Sequence, residues 1–348
     1  MTLSHLPAPH LYRSGSSEPA LRWGLVGPGW IAGEFVDAAH RHTQQRFTAV
    51  ASRSPERGAA FAAAHGIEHV VGSIVELAAR DDVDAIYVAT PQSDHLASGL
   101  SAIAAGKHVL IEKPIALNAN EAQQLVDAGR AAGVLVMEAM WSRYLPQTSV
   151  LTQLLHDGVL GEIRALHADH GQRIDADPSH RLYRPELGGG ALLDLGIYPV
   201  QFASLFLGTP QSVTAVGTMT DTGVDAQSTL VLEHSGGAQA TLTTTLLART
   251  PTGAAVAGSE ATITVDPYFY TPTTFTLAGA AHDSTALHWS DESGLRGFEA
   301  LSWEATAFAS FVGDGRIESP VHGHDETVAI LHTIDQALAQ LPAPAVTV

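Results

Sequence analysis

At 348 residues the chain is long enough for about two domains, each able to bury a substantial core. Apolar residues make up 45% of it and charged residues only 16%, the balance of a compact folded protein rather than a disordered one. A net charge of −18 without any clustered basic face argues against nucleic acid or an anionic membrane as partner, and the lack of cysteine excludes disulfides, thiolate metal sites and cysteine nucleophiles.

Residues 1–20, MTLSHLPAPHLYRSGSSEPA, hold prolines, a Ser/Gly stretch and no apolar run of signal-peptide or membrane-spanning length. A flexible tail and a cytoplasmic setting are expected. From Arg22 to about Glu138, the strand-like runs RWGLVG, FTAVAS, DAIYVAT, HVLIEK and VLVMEA, with a weaker EHVVG, alternate with Ala-rich stretches of helical length. Ser73 with Glu76 and Asn118 with Glu121 have capping-box spacing, and Gly66, Gly106 and Gly133 stand where helices would end. Strand alternating with helix predicts a doubly wound parallel sheet of the Rossmann type over residues 21–140.

A helix over Ser142–His156 follows, and then the rhythm changes. The runs EIRALHADH, SVTAVGTMT, AQSTLVLEH, QATLTTTLLA, ATITVD and TFTLAG are mostly separated by turn residues alone. They predict an α+β domain over 141–348 with a large, open, mostly antiparallel sheet. Late helices at Glu299–Phe311 and Asp325–Gln340 either cover that sheet or return to the first domain.

GLVGPGWIA places Gly27, Gly29 and Ala32 in the dinucleotide spacing, after a strand and at the opening of a helix. Gly27 permits the tight turn, Gly29 lets the backbone approach a pyrophosphate, and Ala32 allows close packing. The free N–H groups of the helix start, beginning at Trp30 and Ile31, then face the phosphates. An NAD-preferring site puts a carboxylate at the end of the second strand, but that strand ends ASRSPER here, with Ser52, Arg53 and Arg57 and no acid before Glu56. Guanidinium forks suit a 2′-phosphate, so NADP is favoured over NAD.

IEKP, Ile111 to Pro114, ends the fifth strand on the edge where open α/β sheets bind ligands. Lys113 is there either as a surface charge or as a side chain aimed into the crevice. With ATPQSDH, AAGKHVLIEKP and MEAMWSRYLP, the chain resembles the glucose-fructose oxidoreductase, inositol dehydrogenase and rhizopine-catabolism family of NAD(P)-dependent oxidoreductases. The resemblance extends from RWGLVG to HDETVAIL. Within the family the chain is most similar to the dimeric dihydrodiol dehydrogenases and the NADP-dependent D-xylose dehydrogenases, through Met137–Arg143, Gly188–Tyr198 and Glu318–Pro320.

The resemblance implies that Arg53 and Arg57 bind the 2′-phosphate. It also implies that Thr90, Pro91 and His95 of ATPQSDH, with Glu112 and Lys113, border the cofactor. Where many members carry Asp followed four residues later by a catalytic His, this subgroup has Tyr, which is Asp194 and Tyr198 here. Four apart on a helix, the two share a face distinct from Leu193, Ile197 and Val200. An unperturbed phenol with a pKa near about 10 is a poor base at neutral pH, and a nearby ammonium favours the phenolate; Lys113 is the candidate for that cation. Tyr198 would then exchange the hydroxyl proton while hydride passes to or from the nicotinamide, and Asp194 would bind a second hydroxyl or orient Lys113. The glycines of GGGALLDLGIYPVQ would let this helix start come close to cofactor and substrate.

His95 is either a group beside the nicotinamide and substrate or a solvated helix-end histidine. Trp141 and Arg143 either line a sugar or ring-diol site or pack as a hinge. Phe269 falls near a pocket tryptophan of the dihydrodiol dehydrogenases and is a substrate-binding candidate on that ground; its difference from tryptophan weakens any transfer of aromatic-diol specificity. HGHDE, His322 to Glu326, looks metal-like, but solvated residues at a helix start are expected there and no metal is. The function expected is hydride transfer with a sugar or small cyclic polyol, as in the D-xylose dehydrogenases. A trans-dihydrodiol dehydrogenase and a sugar carbonyl reductase are close variants, and a non-catalytic NAD(P)-sensing protein is the alternative of another class. By resemblance, a homodimer or higher oligomer through the second domain's sheet is also expected.

Overall fold

The computed structural model describes residues 5–15, 17–281 and 285–342, which form two compact units. One holds residues 11–144 and 295–328; the other holds residues up to 10, 145–294 and 329 onward. The division is therefore not contiguous along the chain.

The first stretch runs β1 (Arg22–Val26), α1 (Trp30–His42), β2 (Arg46–Ala51), α2 (Pro55–His65), β3 (His69–Val71), α3 (Ile74–Ala78), β4 (Ala85–Val88), α4 (His95–Ala104), β5 (His108–Glu112), α5 (Ala119–Ala132) and β6 (Val136–Ala139). Its six strands are all parallel, in the order β3-β2-β1-β4-β5-β6. The caps follow from the sequence: Ser73 and Asn118 accept the Glu76 and Glu121 amides, and Gly66 and Gly133 adopt the left-handed conformation after α2 and α5.

The chain continues with α6 (Pro146–His156), β7 (Ile163–Gly171), α7 (Ile197–Leu207), β8 (Ser212–Met219), β9 (Asp225–Glu233), β10 (Gln239–Thr245), β11 (Ala254–Gly258), β12 (Ala261–Val265), β13 (Phe275–Gly279) and β14 (Ala286–Trp289). It closes with α8 (Leu301–Gly313) and α9 (His324–Leu338). The helix expected over Ser142–His156 is interrupted: a 3₁₀ turn covers Trp141–Tyr144, Leu145 is extended, and α6 begins at Pro146. A residue before proline is driven from the helical region, which accounts for the break.

In the unit built on the parallel sheet, Trp23 of β1 packs on Phe47 and Phe35, and Phe308 of α8 comes within 4.6 Å of it, ring centroid to centroid. The Trp23 indole N–H donates to Gln45 at 3.1 Å, so this buried ring is also satisfied as a donor. The chain expected to be a flexible tail makes specific contacts at some of its described residues: Tyr12 meets Phe311 edge-on at 5.2 Å, and the buried Glu18 carboxylate accepts from Ser14 and Gly15. In the other unit, the His10 amide donates to Ser149 Oγ at 2.8 Å.

The second unit's sheet has the order β14-β13-β12-β11-β7-β10-β9-β8 and is antiparallel except between β7 and β10. Leu166, Leu230, Leu242, Val256 and Ile263 point to the buried face, against which α7 lies, while Val216 is 67% exposed on the other. Two strands were not legible in the sequence. β11 is only AAVAG, without the bulky β-branched run that marks a strand, and β14 buries little beyond Trp289. The stretch Pro185–Leu207 is long and apolar enough to cross a membrane, but 83% of its apolar window is buried inside the protein, as befits a core helix.

Glu304 of α8 is fully buried, and neither of its carboxyl oxygens has a hydrogen-bond partner among the described residues. Burial, reinforced by the nearby Glu112 and Glu138 charges, pushes its pKa well above the ordinary 4.5. The folded state therefore keeps a proton that the unfolded chain has lost, and this group's contribution to stability falls as pH rises from 4.5 towards the folded pKa. Glu304→Gln removes that dependence. Thermal melting should show the variant gaining on the wild type between about pH 5 and about pH 8; a difference constant over that range would contradict a raised pKa.

Candidate active site

The loop between β1 and α1 is shaped for close backbone approach. Gly27 has φ +90°, and a Cβ there would lie 2.6 Å from the Ala89 carbonyl oxygen and 2.7 Å from the Thr90 amide nitrogen. Thr90 Oγ1, beside this turn, is buried without a hydrogen-bond partner among the described residues. Gly29 is exposed at the N-terminus of α1, with space where a Cβ would stand. A tight turn, an unused buried hydroxyl and free helix N–H groups fit a dinucleotide pyrophosphate. Arg53 and Arg57 are both exposed at the end of β2 and the start of α2, with no ion pair to any described residue. Ser52 differs: its hydroxyl donates to the Ser54 carbonyl at 2.8 Å and closes the local turn.

Trp30 is 66% exposed and meets Phe298 edge-on, while Trp141 is buried and stacks on the same ring at 5.7 Å. Trp141 is therefore packed against Phe298 in the dinucleotide-fold unit. Ile31 is half-buried, Ala32 is buried in that unit's core, and Pro91 is exposed at the strand end.

The turn after β5 is held by internal bonds. Glu112 accepts from the Tyr87 hydroxyl through one oxygen and from the Lys113 amide at 3.1 Å through the other. The Lys113–Pro114 peptide is cis. His95 is buried, with Nδ1 2.9 Å from the Pro114 carbonyl oxygen and Nε2 2.9 Å from that of Thr90. Both nitrogens face backbone carbonyls, so His95 ties two strand-end loops together; it is not the solvated helix-end residue of one sequence reading. Burial pushes its pKa down, and a neutral ring donates to one of the two carbonyls at a time.

Arg143 does not present a free donor to a sugar. Its buried guanidinium pairs with Glu326, whose other oxygen lies 3.3 Å from His322 Nδ1. The expectation of solvated histidines in HGHDE is overturned. His322 is 3% exposed and bonds Glu138 at 2.8 Å, and His324, equally buried, bonds the Val136 carbonyl at 2.8 Å. Both are drawn inward because polar groups around β6 would otherwise be left without partners.

In the other unit, residues Leu192–Gly196 form a π-turn that runs into α7. The Leu195 carbonyl is taken by His170 Nδ1 at 3.2 Å and that of Ala191 by Thr244 at 3.3 Å. Asp194, 6% exposed, accepts from Arg181 at 2.9 Å. The Tyr198 ring stacks on Tyr270 at 4.2 Å and lies 5.7 Å from His170. Burial, with the Tyr268 hydroxyl and the Asp194 charge adding to it, pushes the Tyr270 pKa up to about 12 despite a bond to Gln172. Asp194, Tyr198 and Tyr270 thus converge. Phe269 does not join them: it is 4% exposed and packs on Phe202. Tyr268 has φ +62°, and this turn sends Phe269 into the core and Tyr270 over Tyr198.

Two of the three glycines before this helix have a nearer reason than cofactor approach. A Cβ on Gly189 would stand 2.6 Å from the Leu182 carbonyl oxygen, and one on Gly190, at φ +118°, would stand 2.1 Å from Asp225 Oδ1. Asp225, buried at the start of β9, accepts the Leu192 amide at 2.8 Å through its other oxygen and so caps the helix. Burial raises its pKa to about 6.

The sequence matches an oxidoreductase family with an NAD-binding Rossmann fold over residues 21–140 and a GFO/IDH/MocA C-terminal domain over 148–264. The chain belongs to the Gfo/Idh/MocA family. Trans-1,2-dihydrobenzene-1,2-diol dehydrogenase of Xenopus tropicalis is 34% identical to it over 326 residues, 92% of this chain and 98% of the relative. The Mus musculus dehydrogenase of the same name is 38% identical over 245 residues, 69% of this chain and 73% of the relative. Among solved structures, a 3-ketoreductase from Actinomadura kijaniata in complex with NADP and TDP-benzene superposes with a TM-score of 0.82 at 28% identity, covering 93% of this chain and 98% of that one. This member of the Gfo/Idh/MocA family is accordingly an NAD(P)-dependent oxidoreductase of CH–OH groups, acting on a sugar or polyol.

Arg181, Gln172, His170, Tyr270 and Asp225 escaped the sequence reading. Three consecutive aromatics at 268–270 were the only signal for Tyr270, and no local pattern marked the others. Because Asp225 caps the helix that carries Asp194 and Tyr198, Asp225→Ala should cost about 1–2 kcal/mol in denaturant unfolding. It should also lower kcat while NADPH affinity stays at the wild-type value; unchanged stability and turnover would rule out the capping role.

Proposed function

We propose that the protein is an NADP-dependent dehydrogenase of a sugar or small cyclic polyol, most similar in reaction to oxidation of an aldose such as D-xylose at C1. The observation that carries this reading is the convergence of Tyr198, Asp194 and Tyr270, with Arg181 on the Asp194 carboxylate, within the second unit. Polar groups in that number suit a ligand with several hydroxyls. Oxidation of a cyclic trans-diol and reduction of a sugar carbonyl use the same groups.

Gly27, Gly29 and the start of α1 hold the pyrophosphate, Thr90 supplies a hydroxyl, and Arg53 and Arg57 take the 2′-phosphate. When bound, the nicotinamide accepts or gives the hydride. Tyr198 removes the substrate hydroxyl proton in oxidation and returns it in reduction, at its phenolic oxygen. Lys113 is the cation that favours the phenolate in the productive complex. Asp194, oriented by Arg181, accepts a hydrogen bond from a second substrate hydroxyl. Self-association through the outer face of the eight-stranded sheet, around Val216 and Val231, and a cytoplasmic setting complete the proposal.

Three experiments test it. Tyr198→Phe should abolish turnover, lowering kcat by about 100-fold or more, with NADPH binding by fluorescence near wild type; an unchanged kcat sinks the acid/base assignment. Replacing Arg53 and Arg57 together by Ala should raise KM for NADP far more than for NAD. Equal effects on the two cofactors would reject the phosphate role. Assayed with aldoses and cyclic trans-diols, the wild type should favour an aldose; a preference for diols shifts the substrate and not the chemistry.

A further inference from the structure

The turn that carries Lys113 has a further anchor besides Glu112 and His95. Glu138 of β6 is 3% exposed, and its Oε1 accepts the amide of Ile115, two residues past Lys113, at 2.9 Å. Its Oε2 lies 2.8 Å from Nε2 of His322, which comes from the loop before α9, 184 residues along the chain. His322 Nδ1 lies 3.3 Å from Glu326, and Glu326 in turn pairs with the buried Arg143. Thr327 Oγ1 lies 3.2 Å from His322 Nε2. The result is an alternating row, Arg143, Glu326, His322, Glu138, buried except at the half-exposed Glu326, that ends on one backbone N–H.

Such a row is costly to bury merely for stability. Well-packed apolar residues usually do as well or better, whereas removing one member leaves an uncompensated charge. Burial works against a charge on His322, but its bonds to Glu138 and Glu326 outweigh this and hold its pKa above the ordinary imidazole value. The carboxylate is therefore kept as a fixed acceptor, aimed at Ile115. The same short turn is gripped at Pro114 by His95 and at the Lys113 amide by Glu112. Three consecutive residues each have one backbone group held by a side chain from Glu112, α4 or β6.

We propose that Glu138, held by His322, is a positioning residue that fixes the Lys113–Ile115 backbone and thereby sets the placement of the Lys113 side chain for the reaction. The proposal rests on the reading of Lys113 as a catalytic group. Glu138 and His322 themselves act only through the turn.

The test combines amide exchange with a double-mutant cycle. Glu138→Ala should speed hydrogen exchange of the Ile115 amide by about tenfold or more. It should lower kcat by about 10- to 100-fold, with the dissociation constant for NADPH within about twofold of wild type. Glu138→Gln, which keeps an oxygen for Ile115, should recover most of both losses. His322→Gln, which keeps a donor for Glu138, should likewise be milder than His322→Leu. In a Lys113→Ala background, Glu138→Ala should have little further effect on kcat, because coupled residues are non-additive.

Unchanged Ile115 exchange in folded Glu138→Ala overturns the positioning, as do losses of kcat that multiply independently in the double variant. If Glu138→Ala does not fold, Glu138→Gln and His322→Gln carry the same exchange measurement, and protection no better than in His322→Leu overturns the proposal. If Lys113→Ala alone leaves kcat intact, the catalytic reading of Lys113 fails and takes the catalytic consequence of Glu138 with it, while Ile115 exchange separately reports whether the turn is anchored.

Discussion

The carboxyl edge of a parallel sheet ends in backbone groups that no neighbouring strand satisfies, yet a ligand-binding edge has to stay open. Much of the dinucleotide-fold unit is arranged around that constraint. His95 meets the carbonyls that follow β4 and β5, Glu112 takes the amide after its own strand, and Glu138 takes the one two residues on. Each bond comes from a side chain of the same unit. The loops are fixed without a strand or helix being laid over them.

The same logic governs the helix of the second unit. A helix that begins inside a protein exposes amides that water cannot reach, and here Asp225 takes one of them from an adjacent strand. The carboxylate stands so close that only glycine fits at 190, and the carbonyls of Arg181, Leu182 and Arg184 crowd 189, at 2.6 to 2.9 Å from where a Cβ would stand. The π-turn that follows frees carbonyls for His170 and Thr244. Asp194 and Tyr198 are therefore delivered by an element whose start is tied to β7, β9 and β10. A glycine run that reads as an approach to ligand is first an approach of the chain to itself.

Much of this was visible in the primary structure because it is local. The alternation of strand and helix, the caps at Ser73 and Asn118, the left-handed glycines and the turn at Gly27 depend on a few neighbouring residues each. The misreadings have local causes as well. Pro146 broke a helix drawn through it, and β11 lacked the side chains that announce a strand. Tyr268, with its positive φ, upset the alternation that would otherwise tell which of three aromatics faces in. The family resemblance points to Phe269, and Tyr270 is the residue that meets Tyr198.

Composition, periodicity and motif spacing thus determined the fold class and the dinucleotide loop and pointed to the arginines at the end of β2, while the pair on the second-unit helix came with the family resemblance. Tertiary structure alone decided which polar groups are partners. His322 reads as a solvated histidine at a helix start, and Arg143 as a donor for substrate, until Glu138 and Glu326 are placed beside them, in each case more than 180 residues away. Periodicity reports which way a side chain faces relative to its own element. It carries no information about what a distant segment brings to that side, and in a buried site that partner fixes whether a group is charged, neutral or available to a ligand.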